Sequence, residues 1–305
     1  MNVTAPGFDP LDYHLDLRGK AGAAPPSPAA ARALLDGLTG DPLRANPVSI
    51  VQAGLGALAL GEHGHPLVAG VAAWIERTAD ERGLLPYRFP MPHTFPLEAP
   101  WYSALAQGEA ASLLVRAALV LDRSELFELA DRVAEPLLDP GSDLVAETAA
   151  GPVLQEYPTN PPAHVLNGWL LALWGLYDVA NAPRPHATTP AAREAAAAFA
   201  AGSAALAERI DLYRTRPGWS LYDLYPHPLA NVASPFYHRL HVVQLRRQQE
   251  LAPDPRLGAL AAEWGAAVDA PARRAVALAR KVAFRAVRPR WRRIRPPAAA
   301  AALHV

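Results

Sequence analysis

The sequence predicts an all-α fold, an (α/α) toroid or barrel of roughly nine helices, and three observations predict it. Its 32 prolines, well above the usual share of about 5%, cluster between runs rich in Ala and Leu. Pro lacks an amide hydrogen and clashes with the preceding turn, so these clusters punctuate helices. No segment alternates apolar and polar residues as a half-buried strand does, whereas several follow the 3.6-residue helical period.

In chain order the helical segments are 29–39, 47–61, 64–84, 101–122, 124–138, 161–181, 190–211, 236–251 and 257–288. Segment 101–122 reads as two-faced: Ala106, Ala110, Leu113, Leu114, Ala117 and Leu121 form an apolar stripe opposite Glu109, Ser112, Arg116 and Arg123. Segment 161–181 is apolar nearly all round, with Val165, Trp169, Leu173 and Leu176 on one side and Leu166, Leu170, Trp174 and Tyr177 on another. A helix of that kind must be enclosed by others. This mixture suits a layered toroid or solenoid better than a four-helix bundle, and no fixed period marks a repeat array. Three long loops, 85–101, 139–162 and 212–236, are rich in polar and aromatic residues, the usual place for function on a helical scaffold.

The last segment is a basic C-terminal helix. Arg273, Arg274, Arg280, Lys281, Arg285 and Arg288 fall on one arc, with Ala275, Ala279, Val282, Ala283 and Ala286 opposite, and Pro289 stops it. The expected organisation is a lead-in over 1–28, a helical domain over 29–288 with the apolar arc of its last helix docked on the body, and a basic, Pro/Ala-rich tail over 289–305.

The formal charge is zero, from 29 basic and 29 acidic residues, but the last acid is Asp269. Residues 1–272 hold 19 bases against 29 acids, a net of −10, and the ten bases beyond restore the sum. Such a tail suits an anionic polymer or an anionic membrane surface, while the acidic body and the lack of a recognition motif disfavour nucleic acid. The absence of cysteine excludes a disulfide framework, a thiol nucleophile and a Cys-based zinc site. The N-terminus lacks the basic-then-apolar pattern of a signal peptide, and the most apolar stretch, Gly168 to Tyr177, falls short of the roughly 20 residues of a membrane span. A cytoplasmic or membrane-peripheral protein is expected. Few lysines beside abundant Arg and Ala point to a GC-rich bacterial genome.

The middle and last loops hold Glu156, Tyr157, Tyr222, Asp223 and Asn231, and the next helix opens with Tyr237, His238 and His241. Such a set can remove a weakly acidic proton: Tyr serves as base or acid when its pKa of about 10 is lowered, with Glu or His as partner. His238 and His241 lie one turn apart but lack the third ligand a metal site needs, so neither metal nor cofactor is expected. Glu109, Glu156 and Asp223 include candidates for a glycosidase carboxylate pair. The glycines of 54–64 follow no strand and make no phosphate loop, and no Ser nucleophile elbow is present.

The blocks WYSALAQGEAASLLVRA (101–117), QEYPTNPPAHVLNGWLLALWGLYD (155–178), SLYDL (220–224) and NVASPFYHRLHVVQL (231–245), in this order, resemble the signature blocks of the D-glucuronyl C5-epimerase C-terminal domain. The resemblance runs from about Asn46 to Leu251, and YHLDLRGKA (13–21) resembles the lead-in of bacterial members. It implies an (α/α) toroid and epimerisation of glucuronate to iduronate within a polysaccharide such as heparosan. It carries the catalytic positions onto Glu156, Tyr157, Tyr222 and Tyr237, and Asn231 and His241 also fall on motif positions. Arg88, Trp101, Gln107 and His238 complete the expected substrate-binding set; for Trp101, Gln107 and Trp219, core packing and sugar contact stay equal readings.

The implied chemistry follows from the substrate. The proton on carbon 5 lies beside a carboxylate whose charge must be neutralised for an enediolate-like anion to form. A base takes the proton from one face and an acid returns one on the other, with Glu156 or Tyr157 facing Tyr237 and Tyr222 in support. Family members continue LYDL with Arg-His, whereas this chain reads LYDLYPH and places Tyr225 there, which leaves Arg88, Arg216 or Arg239 to grip the carboxylate. A uronate polysaccharide lyase, which removes the same proton, and a non-catalytic uronate-polymer-binding protein are the alternatives. A homodimer would supply a missing cleft wall.

Overall fold

The computed structural model describes residues 8–22, 27–91, 94–95, 97–184, 189–216 and 218–289. Its helices are α1 (Pro28–Thr39), α2 (Pro47–Leu58), α3 (His65–Thr78), α4 (Ala104–Val120), α5 (Glu125–Leu138), α6 (Leu166–Asn181), α7 (Pro190–Arg209), α8 (Pro235–Leu251), α9 (Pro255–Val268) and α10 (Pro271–Val287). The fold is all-α. Two small antiparallel hairpins interrupt the long loops: β1 (Val145–Thr148) with β2 (Gly151–Leu154), and β3 (Arg214–Thr215) with β4 (Trp219–Ser220).

Prolines start helices here as well as stopping them. Ser27, Asn46, Thr189, Ser234 and Asp254 each accept a backbone N–H from the first turn, and each is followed by proline at the first helical position. That position has no use for an amide hydrogen, and the fixed φ of proline suits it. The same rule corrects the helix count. The expected single segment 257–288 breaks at Asp269–Ala270, because Pro271 cannot continue α9 and opens α10 instead.

The helices pack as hairpins, α2 on α3, α4 on α5, α6 on α7 and α8 on α9, and the inner members α2, α4, α6 and α8 pack in series. As expected, α6 is enclosed. The two-faced reading of 101–122 is overturned, since Ala104 through Ala118 are all buried. Its polar residues find partners inside the protein that lie far away in sequence. Arg116 grips both carboxylate oxygens of Asp178 at 2.9–3.0 Å and donates to the backbone oxygens of Asp9 and Asp12 at 2.7 and 2.9 Å. His14 Nε2 lies 2.9 Å from Asp178 Oδ1. Burial alone would raise the Asp178 carboxyl, but Arg116 and His14 outweigh it and hold the group at about 2. The N-terminal segment is thereby fastened to α4 and α6.

The terminal helix also differs from expectation. Ala275, Ala279, Val282, Ala283 and Ala286 are exposed, and α10 docks through Ala277 and Phe284 on the side that carries Arg280, Lys281 and Arg285. Alanines offer little area to bury, whereas Phe284 is fully buried, with the Lys281 and Arg285 head groups both 5.3 Å from its ring centre. Each cation then meets a polar atom on the body: Arg280 donates to Arg216 O, Lys281 to Asn231 Oδ1 at 2.6 Å and Arg285 to Thr94 Oγ1 at 3.0 Å. The tail beyond Pro289 lies outside the described residues. Among the described residues no helix is long and apolar enough to cross a membrane.

The tightest contact between the inner helices is glycine on glycine. A methyl group added at Gly175 of α6 would stand 2.4 Å from Gly108 Cα of α4, against backbone that cannot swing aside. Gly175→Ala is therefore expected to lower stability by about 3 kcal/mol, at the upper end of overpacking costs, measured as a shifted denaturant midpoint with unchanged slope.

Candidate active site

A cavity of about 960 Å³ is lined by the N-terminal segment 15–20, the start of α2, the loop before α4, the loop after β2 and the first turns of α6 and α8. Glu156, Tyr157, Tyr237 and Trp101 all reach it.

The backbone of Gln155 fixes the position of Glu156: its N–H donates to Leu144 O at 2.8 Å and its oxygen accepts from Ala104 N at 3.0 Å. Asn167 Nδ2 donates to Glu156 Oε2 at 3.3 Å. The neighbouring Gly168 makes room, since a Cβ there would lie 2.4 Å from both Cβ and Oε2 of Glu156. Burial pushes the Glu156 carboxyl up to about 7, opposed by hydrogen bonds from Tyr157 and Asn167 and reinforced by the charge of Asp223.

Three tyrosines gather around it. Tyr157 stacks on Phe95 with ring centres 4.7 Å apart. Tyr222 is held from both sides, donating its N–H to Asn231 O at 2.8 Å and accepting from Leu166 N at 3.2 Å. Tyr237 stands in the first turn of α8, where Ser234 Oγ accepts its N–H, and its ring meets that of Tyr222 edge-on at 4.8 Å. Burial and then the Glu156 charge push the hydroxyls of Tyr157 and Tyr222 well above the usual tyrosine range. That is the reverse of what a tyrosinate base requires, so both hydroxyls keep their protons at neutral pH, whereas the Glu156 carboxyl exchanges its proton near neutrality. A second buried carboxyl lies nearby. Burial pushes Glu109 up to about 8; Gln52 donates to its Oε1 at 3.1 Å, and Oε2 has no partner among the described residues.

The remaining sequence candidates divide. Trp101 lines the cavity, stacked on Tyr87 at 3.8 Å with its indole N–H donated to Phe89 O. Asn231 is buried behind Tyr222, donating to Asp223 and accepting from Lys281. Gln107 lies away from the cavity and spends its amide on backbone, accepting from Leu85 N and donating to Gly83 O and Val133 O, all at 2.8 Å. His238 and His241 both turn Nδ1 to Ser220 Oγ at 2.9 Å, and burial pushes them down to about 4 and about 3. They clamp the β4 loop as neutral rings. Trp219 stacks on His238 at 3.8 Å in the same packing cluster. Arg88 and Arg239 are exposed and Arg216 lines a separate groove with Arg214 and Arg273; none of the three lines the cavity. Among the described residues no three His, Asp or Glu side chains converge as metal ligands would. The sequence reading passed over Asn167 and Gly168, although both stand in the VLNG block, and over Lys20, the one basic side chain among the residues lining the cavity.

Residues 79–266 match the family described as D-glucuronyl C5-epimerase C-terminus. A D-glucuronyl C5-epimerase of Caenorhabditis elegans is 28% identical over 218 residues, which cover 67% of this chain and 35% of that protein. The chain thus spans about a third of that relative. Glu156, Tyr157, Tyr222 and Tyr237 all fall inside the matched region, which takes in more than half of the sequence, and the chain belongs to the D-glucuronyl C5-epimerase C-terminus family.

Proposed function

We propose that this chain is an isomerase that inverts carbon 5 of D-glucuronate to L-iduronate within a polysaccharide, heparosan-like or a bacterial uronate polymer. The observation that carries this reading is a buried carboxyl on the cavity wall, Glu156, poised near neutrality beside the protonated Tyr157 and Tyr222, in a cavity of sugar-binding size. Glu156 takes the proton from carbon 5, and the Tyr237 hydroxyl returns one to the opposite face. The hydrogen bonds of Tyr157 with Glu156 and of Tyr222 with Tyr157 give the proton a way back toward Tyr237, whose ring abuts Tyr222. Trp101 and Tyr87, stacked on each other, add apolar surface to the cavity lining, as sugar sites commonly have.

The test is solvent exchange. In deuterium oxide the protein should place deuterium at carbon 5 of a glucuronate polymer while leaving chain length intact; an unsaturated, ultraviolet-absorbing product would mark a lyase, and no exchange on any uronate polymer would reject the reading. Tyr237→Phe should lower exchange by about 100-fold or more, with helicity and polymer affinity unchanged. Because the base must be ionised, kcat/KM should rise with pH through about 7. The same raised carboxyl has a stability signature. Its neutral form is favoured in the fold, so its contribution is fully present below the ordinary Glu value of about 4.3 and is lost as pH rises through about 7. Glu156→Gln should therefore match the parent in thermal stability at low pH and exceed it above neutrality.

A further inference from the structure

We propose that Lys281, from the basic face of α10, is the cation that receives the substrate carboxylate in this site. The proposal rests on the epimerase reading above and adds the group that reading lacks. Removing a proton beside a carboxylate builds a second negative charge on the same few atoms, and a fixed cation is the strongest available stabiliser.

The position of Lys281 meets that need. Its Nζ donates to Asn231 Oδ1 at 2.6 Å and stands 5.6 Å from the centre of the Tyr222 ring, and that ring abuts Tyr237. Asn231 is itself fixed by its hydrogen bond to Asp223, so the ammonium is held by a positioned amide rather than by a mobile surface partner. The docking of α10 fixes the other end. Tyr225 packs against Phe95 and His227, and His227 packs edge-on against Phe284, one turn beyond Lys281. Another basic residue on the same face, Arg285, reaches Thr94, next to the Phe95 that stacks on Tyr157. The basic face of α10 thus stands behind Tyr222 and Asn231, one layer out from the residues that line the cavity. The competing cations are placed differently. Arg88, Arg216 and Arg239, like Lys281, are not among the residues lining the cavity, and Lys281 differs from them in its hydrogen bond to Asn231 and its place over the Tyr222 ring. Lys20 lines the cavity but is exposed on the N-terminal wall. Lys281 also lies beyond residues 79–266, so membership of the family neither requires nor supplies it.

The experiment compares Lys281→Met and Lys281→Arg with the parent in the full chain. Two readouts are taken: deuterium entry at carbon 5 of N-acetylheparosan, and affinity for that polymer against a carboxyl-reduced version. The expected result for Lys281→Met is a loss of about 100-fold in kcat/KM, weakened binding of the carboxylated polymer and unchanged binding of the reduced one, with at least tenfold of the loss recovered in Lys281→Arg. Exchange by Lys281→Met at the parental rate, or equal weakening toward both polymers, would overturn the proposal. Should the parent itself exchange on no uronate polymer, the epimerase reading falls, and the preference for carboxylated over reduced polymer still decides whether Lys281 binds the carboxylate. If Lys281→Met loses its helical circular dichroism, Lys281→Gln, which keeps a donor toward Asn231, is read by the same two outcomes.

Discussion

The buried pair of Arg116 and Asp178 is the constraint on which the rest of the structure depends. Taking both charges out of water costs several kcal/mol per ion, and only close bidentate geometry with further hydrogen bonds offsets it. Those further bonds come from His14 and from the carbonyls of Asp9 and Asp12. Removing one partner would leave the other as an uncompensated buried charge, at a cost of about 3–5 kcal/mol. The N-terminal segment is therefore an integral strut, and the cavity wall formed by Leu15 to Lys20 exists because that strut is anchored between α4 and α6.

Inside the cavity, burial works in the opposite direction, toward neutrality. Burial raises the proton affinity of both Glu109 and Glu156, and a neighbouring carboxylate adds to it in each case, Glu156 beside Glu109 and Asp223 beside Glu156. The tyrosines keep their protons for the same reason. A body that carries a formal excess of acids can thus present a site of much weaker negative charge. That suits an acidic domain to the proposed polyanionic substrate without the grip of Arg88, Arg216 or Arg239 expected from the sequence, since no arginine is among the residues lining the cavity.

The parts of this arrangement that were legible in the sequence are those encoded locally. Polar–Pro pairs such as Asn46–Pro47 and Ser234–Pro235 mark helix starts within a residue or so, and the all-round apolar pattern of 161–181 identifies an enclosed helix. Motif order brought Glu156, Tyr157, Tyr222 and Tyr237 together on paper, and they meet in space. Long-range pairing was not legible. The polar stripe of α4 looks solvated until Asp9, Asp12 and Asp178 are known to surround Arg116. The helical wheel of α10 points the wrong arc inward because alanine-rich and cation-rich faces compete closely, and Phe284 with Asn231, Thr94 and the Arg216 carbonyl settles the outcome. Gln107 and the two histidines have the polarity of ligand-binding groups, yet Gln107 is consumed by backbone and both histidines turn Nδ1 to Ser220, with His241 Nε2 left without a partner among the described residues.

The composition of the basic residues has a chemical consequence. Of 29 lysines and arginines only two are lysines, Lys20 and Lys281, and both stand at the site, one on the cavity wall and one against Tyr222 and Asn231. They are the only lysine side chains in the sequence, so lysine-directed chemistry acts at these two positions. Reductive methylation with isotope-labelled formaldehyde would place two side-chain resonances on a sequence of 305 residues, one on the cavity wall and one beside Tyr222 and Asn231.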